Sequence, residues 1–102
     1  MVTVEEAREL ALSLGEVLEK PHFEKRSFRT SRGIFMTLDE RAGQAVLRLS
    51  EMDQSLFSAF DDSVMFPVPN KWGKQGWTTV ELGKVQRDTF QDAMKAAYDF
   101  RS

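Results

Sequence analysis

The sequence contains no cysteine and only one histidine, His22. The first absence excludes disulfide staples, thiolate nucleophiles and cysteine-held zinc or iron–sulfur centres. The second removes paired-histidine metal sites and catalysis by two imidazoles. A single imidazole can still exchange protons near neutral pH, but a structural hydrogen bond from a loop is the expected role of His22. A Ser-His-Asp triad does not follow from one histidine and scattered acids, because triads are defined by geometry. No GxxxxGK or GxGxxG phosphate loop occurs. No apolar run approaches the ~18 residues of a membrane span. The opening MVTVEEARELAL is acidic and amphipathic, unlike a secretory leader. A cytoplasmic protein is expected, with no catalytic, cofactor or metal residues, and enzymatic activity is not the favoured reading. The net charge of −2 argues against a dedicated binder of phosphate backbone, which needs a basic stripe.

What is present suits one folded unit. With 102 residues, 41% hydrophobic and 29% charged, residues 1–102 are expected to form a single domain with a single core. Thr3 and Glu6 make a capping box, and Val4, Ala7, Leu10, Ala11 and Leu14 recur at helical spacing before Gly15. This predicts a first helix over Val4 to Leu14. Arg26 to Thr30 and Ile34 to Asp39 read as a hairpin, followed by a strand over Ala45 to Leu49 in which Ala45, Leu47 and Leu49 share a face. Ile34, Met36 and Leu38 are expected to face the helices, with Phe35 adding apolar surface to the other side. Ser50 caps a second helix whose stripe is Met52, Leu56, Ala59 and Phe60, widened by Phe57. Asp61-Asp62 reads as its stop. Val64 to Phe66 and Trp77 to Leu82 complete the strands. Asp88, with Gln91 three residues later, is expected to cap the last helix, whose stripe is Phe90, Ala93, Met94, Ala97 and Tyr98. The order α-β-β-β-α-β-β-α implies an α+β fold, an antiparallel sheet of about five strands with helices packed on one side.

The chain is organised around PVPNKWGKQGWTTVEL, Pro67 to Leu82, which carries both tryptophans. Pro67 and Pro69 interrupt regular pairing, and Gly73 and Gly76 permit sharp turning or close backbone approach. Trp77 opens an alternating strand and is expected to be largely buried. Trp72, between Lys71 and Lys74, is the better candidate for exposure and for a functional contact.

A second feature is charge. From Lys20 to Arg32 five cations stand against Glu24, a formal +4, interrupted by Phe23 and Phe28. Aromatics among basic residues serve nucleic-acid recognition by stacking beside phosphate contacts. The same pattern also arises on a strand with one face in water. An exposed row of Arg26, Arg29 and Arg32 beside Lys71 and Lys74 would favour nucleic acid. A concave apolar site by Trp72, walled by Phe66 or Phe35, would favour a small ligand or protein partner.

Several residues together resemble the MmcQ/YjbR-like family, first described as a domain of unknown function. They are His22 before the first strand, Phe28 within it, Gly33-Ile34-Phe35 opening the second, and the LRLS junction before a short helix. A proline-containing segment, Trp77 at a strand start and Tyr98 in the last helix continue the match over nearly the whole chain. The resemblance implies a CyaY-like fold and carries the label of a double-wing DNA-binding motif, with Arg48 as the matching third-strand cation. It also suggests iron handling, for which Glu5, Glu6 and Glu9 form only a thin acidic ridge. The candidate contact residues for DNA or a protein partner are therefore Arg26, Arg29, Arg32, Arg48, Lys71, Trp72 and Lys74. With Glu51, Asp53, Asp61 and Asp62 cancelling the positive field, DNA binding is expected to be weak. The expected state is a monomer or weak dimer, with no membrane association.

Overall fold

Thr3 opens the first helix as its spacing predicts. Its Oγ1 accepts the Glu6 N–H at 3.0 Å, and Glu6 Oε1 accepts the Thr3 N–H at 3.1 Å, so each side chain satisfies an amide the helix leaves orphaned. In the computed structural model, which describes residues 1–101, this helix α1 spans Val4–Leu12. It stops two residues short of expectation. The Ser13 hydroxyl donates to the Leu10 carbonyl at 2.7 Å, and Gly15 leads the chain away at φ +91°.

Six antiparallel strands follow in one sheet: β1 (Leu18–His22), β2 (Lys25–Thr30), β3 (Gly33–Asp39), β4 (Gln44–Arg48), β5 (Met65–Pro67) and β6 (Trp77–Glu81). Their spatial order is β1-β2-β3-β4-β6-β5. The α+β antiparallel architecture is as expected; the count of about five strands is not. The extra strand is β1, and it carries His22, expected in a loop. As an edge strand it is mostly exposed, so it lacks the buried alternation by which a strand is read. Edge position also explains how it tolerates Pro21.

Directly paired residues share a sheet face, so the register separates the two faces. One face presents Phe28, Met36, Leu38, Ala45, Leu47, Val80 and Met65, all buried in the core. Against it lies α4 (Arg87–Phe100), which buries Phe90, Ala93, Met94 and Ala97 over β3 and β4, while α1 reaches β3. At β3 the pairing skips one residue: Phe28 faces Met36, but Arg29 faces Ile34. The unpaired Phe35 turns to the helices, where its ring meets Tyr98 edge-on at 5.5 Å between centroids. Ile34 consequently points to the open face. Both assignments reverse the expectation from plain alternation, because a bulge adds one residue and resets the phase.

The second helix corrects a larger reading. Over α2 (Glu51–Ser58), capped by Ser50, the expected core stripe Met52, Leu56 and Phe60 faces solvent. The buried residue is Gln54, whose amide donates to the Gly73 carbonyl at 2.9 Å and to Thr78 Oγ1 at 3.1 Å. Phe57 alone of the predicted stripe packs against the core. A site made of carbonyl and hydroxyl acceptors rewards an amide, and helical geometry then turns the residues on the opposite side outward.

The last helix begins at Arg87, with Gln86 as N-cap and no side-chain cap. Asp88 is therefore in the first turn, where its charge meets the positive end of the helix, and is not the cap its spacing with Gln91 suggested. No helix among the described residues is long and apolar enough to cross a membrane.

Candidate ligand groove on the open sheet face

Between β5 and β6 the chain forms a short helix, α3 (Lys71–Lys74), and the glycines around it determine its seat. A Cβ on Gly73 would overlap the Val68 carbonyl, and one on Gly76 would overlap the Leu49 carbonyl. Gly76 also adopts φ +107°, a left-handed conformation open to glycine. These contacts press the tryptophan segment against β4. The Leu49 N–H donates to the Gly76 carbonyl, and the Val68 N–H to the Trp77 carbonyl, both at 3.0 Å. Asn70 caps α3 by accepting the Trp72 N–H at 2.8 Å.

The result is a groove of about 400 Å³ on the sheet face away from α1 and α4. Trp72 and Trp77 wall one end, with Val68 beside them; Ile34, Thr37 and Val46 form the floor; His22 and Lys25 stand at the other end. Trp72 is 49% exposed, and Lys71 Nζ lies 5.8 Å from its ring centroid. Trp77 is the less exposed of the two, as expected, but it is half-buried in the groove wall and absent from the helix-side core. The walls expected from sequence, Phe66 and Phe35, are not among the lining residues.

The edge of the groove is positive. By register Lys20, His22, Lys25 and Arg29 share the open face of β1 and β2 with no carboxylate among them. Arg29 Nε is buried without a hydrogen-bond partner among the described residues. Asp39 and Glu81 lie on the same face at the end away from Trp77, where Gln44 Nε2 donates to Glu81 at 3.2 Å. At the tip of the β1–β2 hairpin Phe23 adopts φ +60° and is 94% exposed, its ring edge-on to His22 at 5.0 Å. A non-glycine residue in that conformation is uncommon and costs about 1–2 kcal/mol.

The cations singled out from the sequence do not gather into one row. Arg26 points to the helix face, where Glu19 and Glu40 hold it at 2.9 and 3.1 Å. Arg29, three residues on, points to the open face, since an odd separation in a strand places side chains on opposite sides. Arg32 is exposed in the β2–β3 turn. Arg48 is enclosed. It donates to the Leu49 carbonyl at 3.1 Å and to the Gln75 carbonyl, and its guanidinium lies near the Trp77 and Phe100 rings at 5.8 and 5.2 Å. Burial, and then the Arg101 charge, push it below the ordinary arginine value. Lys71 and Lys74 flank Trp72 on α3 and are exposed, but neither lines the groove. The groove residues that sequence reasoning missed are His22, Lys25, Ile34, Thr37, Val46 and Val68. The even spacing of Lys20, His22 and, across the turn, Lys25 was the available signal, but it required β1 to be recognised as a strand. No group of three or more His, Cys, Asp or Glu able to hold a metal converges among the described residues.

Comparison with known proteins agrees with this architecture. A family model described as YjbR matches residues 12–100. A solved structure, the Deinococcus radiodurans protein DR2400 with its DUF419 domain, superposes with a TM-score of 0.81 at 20% identity. The alignment covers 96% of this chain and 77% of that one, and at such identity the likeness concerns the fold. No curated protein matches the chain in sequence.

Proposed function

The chain belongs to the YjbR family, whose function is not defined, and we propose that it is a binding domain whose open sheet face takes a planar apolar anion. The carrying observation is the groove itself, with two indoles at one end and Lys25 with His22 at the other. Its volume of about 400 Å³ falls within the range of small-molecule sites, which pair apolar walls with a few polar groups that orient the ligand. An aromatic body stacks beside Trp72 while its anionic group meets Lys25 or His22. Reading the fold as CyaY-like, residues 1–102 as one domain and the protein as cytoplasmic belongs to the same proposal.

The test is titration with 1-anilinonaphthalene-8-sulfonate, an aromatic sulfonate, followed through tryptophan emission. Saturable binding is expected, weakened at least tenfold by Trp72→Ala and several-fold by Lys25→Gln. Absence of saturable binding, or affinity indifferent to both substitutions, would sink this reading.

A second reading is single-stranded DNA, favoured by Lys71 and Lys74 beside the half-exposed Trp72, an arrangement suited to base stacking with phosphate contacts. An oligothymidylate should then bind at low ionic strength, with Lys71→Ala and Lys74→Ala lowering affinity and flattening its salt dependence. Arg26→Ala, by contrast, should change little, because Glu19 and Glu40 already occupy its guanidinium. No oligothymidylate binding at low salt removes this alternative.

A further inference from the structure

The exposed side of α2 has no function in the groove. Met52, Leu56 and Phe60, four residues apart, are 80%, 59% and 76% exposed. Met52 and Leu56 stand one turn apart on α2, and Phe60 follows in the turn just past its C-cap Ala59, so the three apolar side chains are exposed along and just beyond this helix. Beside them opens a mixed depression of about 340 Å³, lined by Phe57, Phe60 and Val64 together with the polar Asp61, Lys84 and Thr89. Isolated exposed apolar residues are ordinary, but three large ones within nine residues beside a depression mark an interaction surface.

The charge around the stripe says what fits. Residues 51–62 carry Glu51, Asp53, Asp61 and Asp62 and no lysine or arginine. Asp61 is held ionised below the ordinary aspartate range by the Ser63 hydroxyl and amide, which donate to it at 2.6 and 2.9 Å. A second copy meeting this surface across a twofold axis would bring these carboxylates against their own images, a repulsive arrangement. An anionic membrane would be repelled in the same way. A cationic amphipathic helix satisfies both requirements: apolar side chains at i, i+3, i+4 and i+7 pack on the stripe while flanking lysines or arginines meet the carboxylates. We propose that α2 and the adjoining depression are the docking surface for a basic amphipathic helix of another protein. The site lies on the helix-bearing side of the molecule and is independent of the groove.

The probe is a fluorescein-labelled 18-residue helix of leucine and lysine with leucines at i, i+3, i+4 and i+7, measured by anisotropy. Its control carries glutamate in place of lysine. The basic peptide should bind in the micromolar range and the acidic one at least tenfold more weakly. Met52→Ser with Leu56→Ser should weaken binding at least tenfold, as should Glu51→Lys with Asp62→Lys. Circular dichroism should show the fold retained, since these side chains are exposed; Phe60→Ala supplies a second apolar variant should the serine pair perturb the helix. Trp72→Ala should leave peptide affinity unchanged, which separates this site from the groove. The proposal is overturned if the two peptides bind alike, or if the folded apolar or charge variants bind the basic peptide as the unmodified protein does. It is equally overturned if sedimentation shows self-association that Phe60→Ala abolishes and the peptide displaces, because the occupant is then a second copy.

Discussion

Arg48 and Trp77 face each other across the β4–β6 pairing, with the guanidinium 5.8 Å from the indole centroid. The same guanidinium donates to the Leu49 and Gln75 carbonyls, so one side chain joins β4, the turn after α3 and the groove wall. Hydrogen bonds from a charged donor contribute about 1.5–3 kcal/mol each, with water able to replace the donor at the exposed Gln75 carbonyl. Arg48→Ala should therefore destabilise the protein by roughly 2–3 kcal/mol in urea denaturation. Arg48→Lys should restore little of it, since an ammonium cannot reproduce the planar fork. Full recovery with lysine would show that charge alone matters here.

The two tryptophans should separate by accessibility and by stability. Acrylamide should quench Trp72 in Trp77→Phe more strongly than Trp77 in Trp72→Phe, because Trp72 is 49% exposed and Trp77 less so. Trp77→Ala should cost about 1–2 kcal/mol, below the roughly 3–5 kcal/mol of a fully buried aromatic, because it lines the groove and is only part-covered. Trp72→Ala should cost less than about 1 kcal/mol. Reversal of either order contradicts the placement of both rings.

Gln54 is the anchor of α2. Replacing it by leucine keeps its bulk but removes the donors to Gly73 and Thr78, and leaving buried acceptors unpaired costs about 1–3 kcal/mol. Chemical denaturation should report a loss of that size. A neutral or stabilising Gln54→Leu would mean that the site is governed by apolar packing, as the stripe of Met52 and Leu56 first suggests.

Acid sensitivity should centre on Glu19. Its hydrogen bond from Arg8 at 3.0 Å, reinforced by Arg26 at 2.9 Å, holds the carboxyl below the ordinary glutamate range despite desolvation. A depressed folded pKa contributes stability that is fully present above the unfolded value of about 4.3 and lost as pH falls through the lower folded value. The urea midpoint of the unmodified protein should exceed that of Glu19→Gln at pH 6, and the gap should narrow below about pH 4. A gap independent of pH would remove Glu19 from the acid response.

Local chemistry was readable in the sequence wherever the cause lies within a few residues. The Thr3–Glu6 box, the Ser50 cap, the alternation of Ala45, Leu47 and Leu49 and the glycine at 73 all have causes of that kind: a capping side chain, a period of two, or the Val68 carbonyl five residues back with no room for Cβ. The antiparallel α+β arrangement follows from the same signals, since they specify which segments pair through short turns. Other features depend on partners distant in sequence. Phe35 turned inward because a single bulge against β2 reset the phase of β3, a pairing event that the β3 sequence by itself does not record. The face of α2 was decided by the Gly73 and Thr78 acceptors, more than 15 residues away, which favoured Gln54 over Leu56. Arg26 lost its place in a basic row to carboxylates on β1 and in the β3–β4 turn, and His22 and Lys25 joined the tryptophans only across the face of a folded sheet. Periodicity reports which residues share a side; which side is buried depends on what the rest of the chain sets against it.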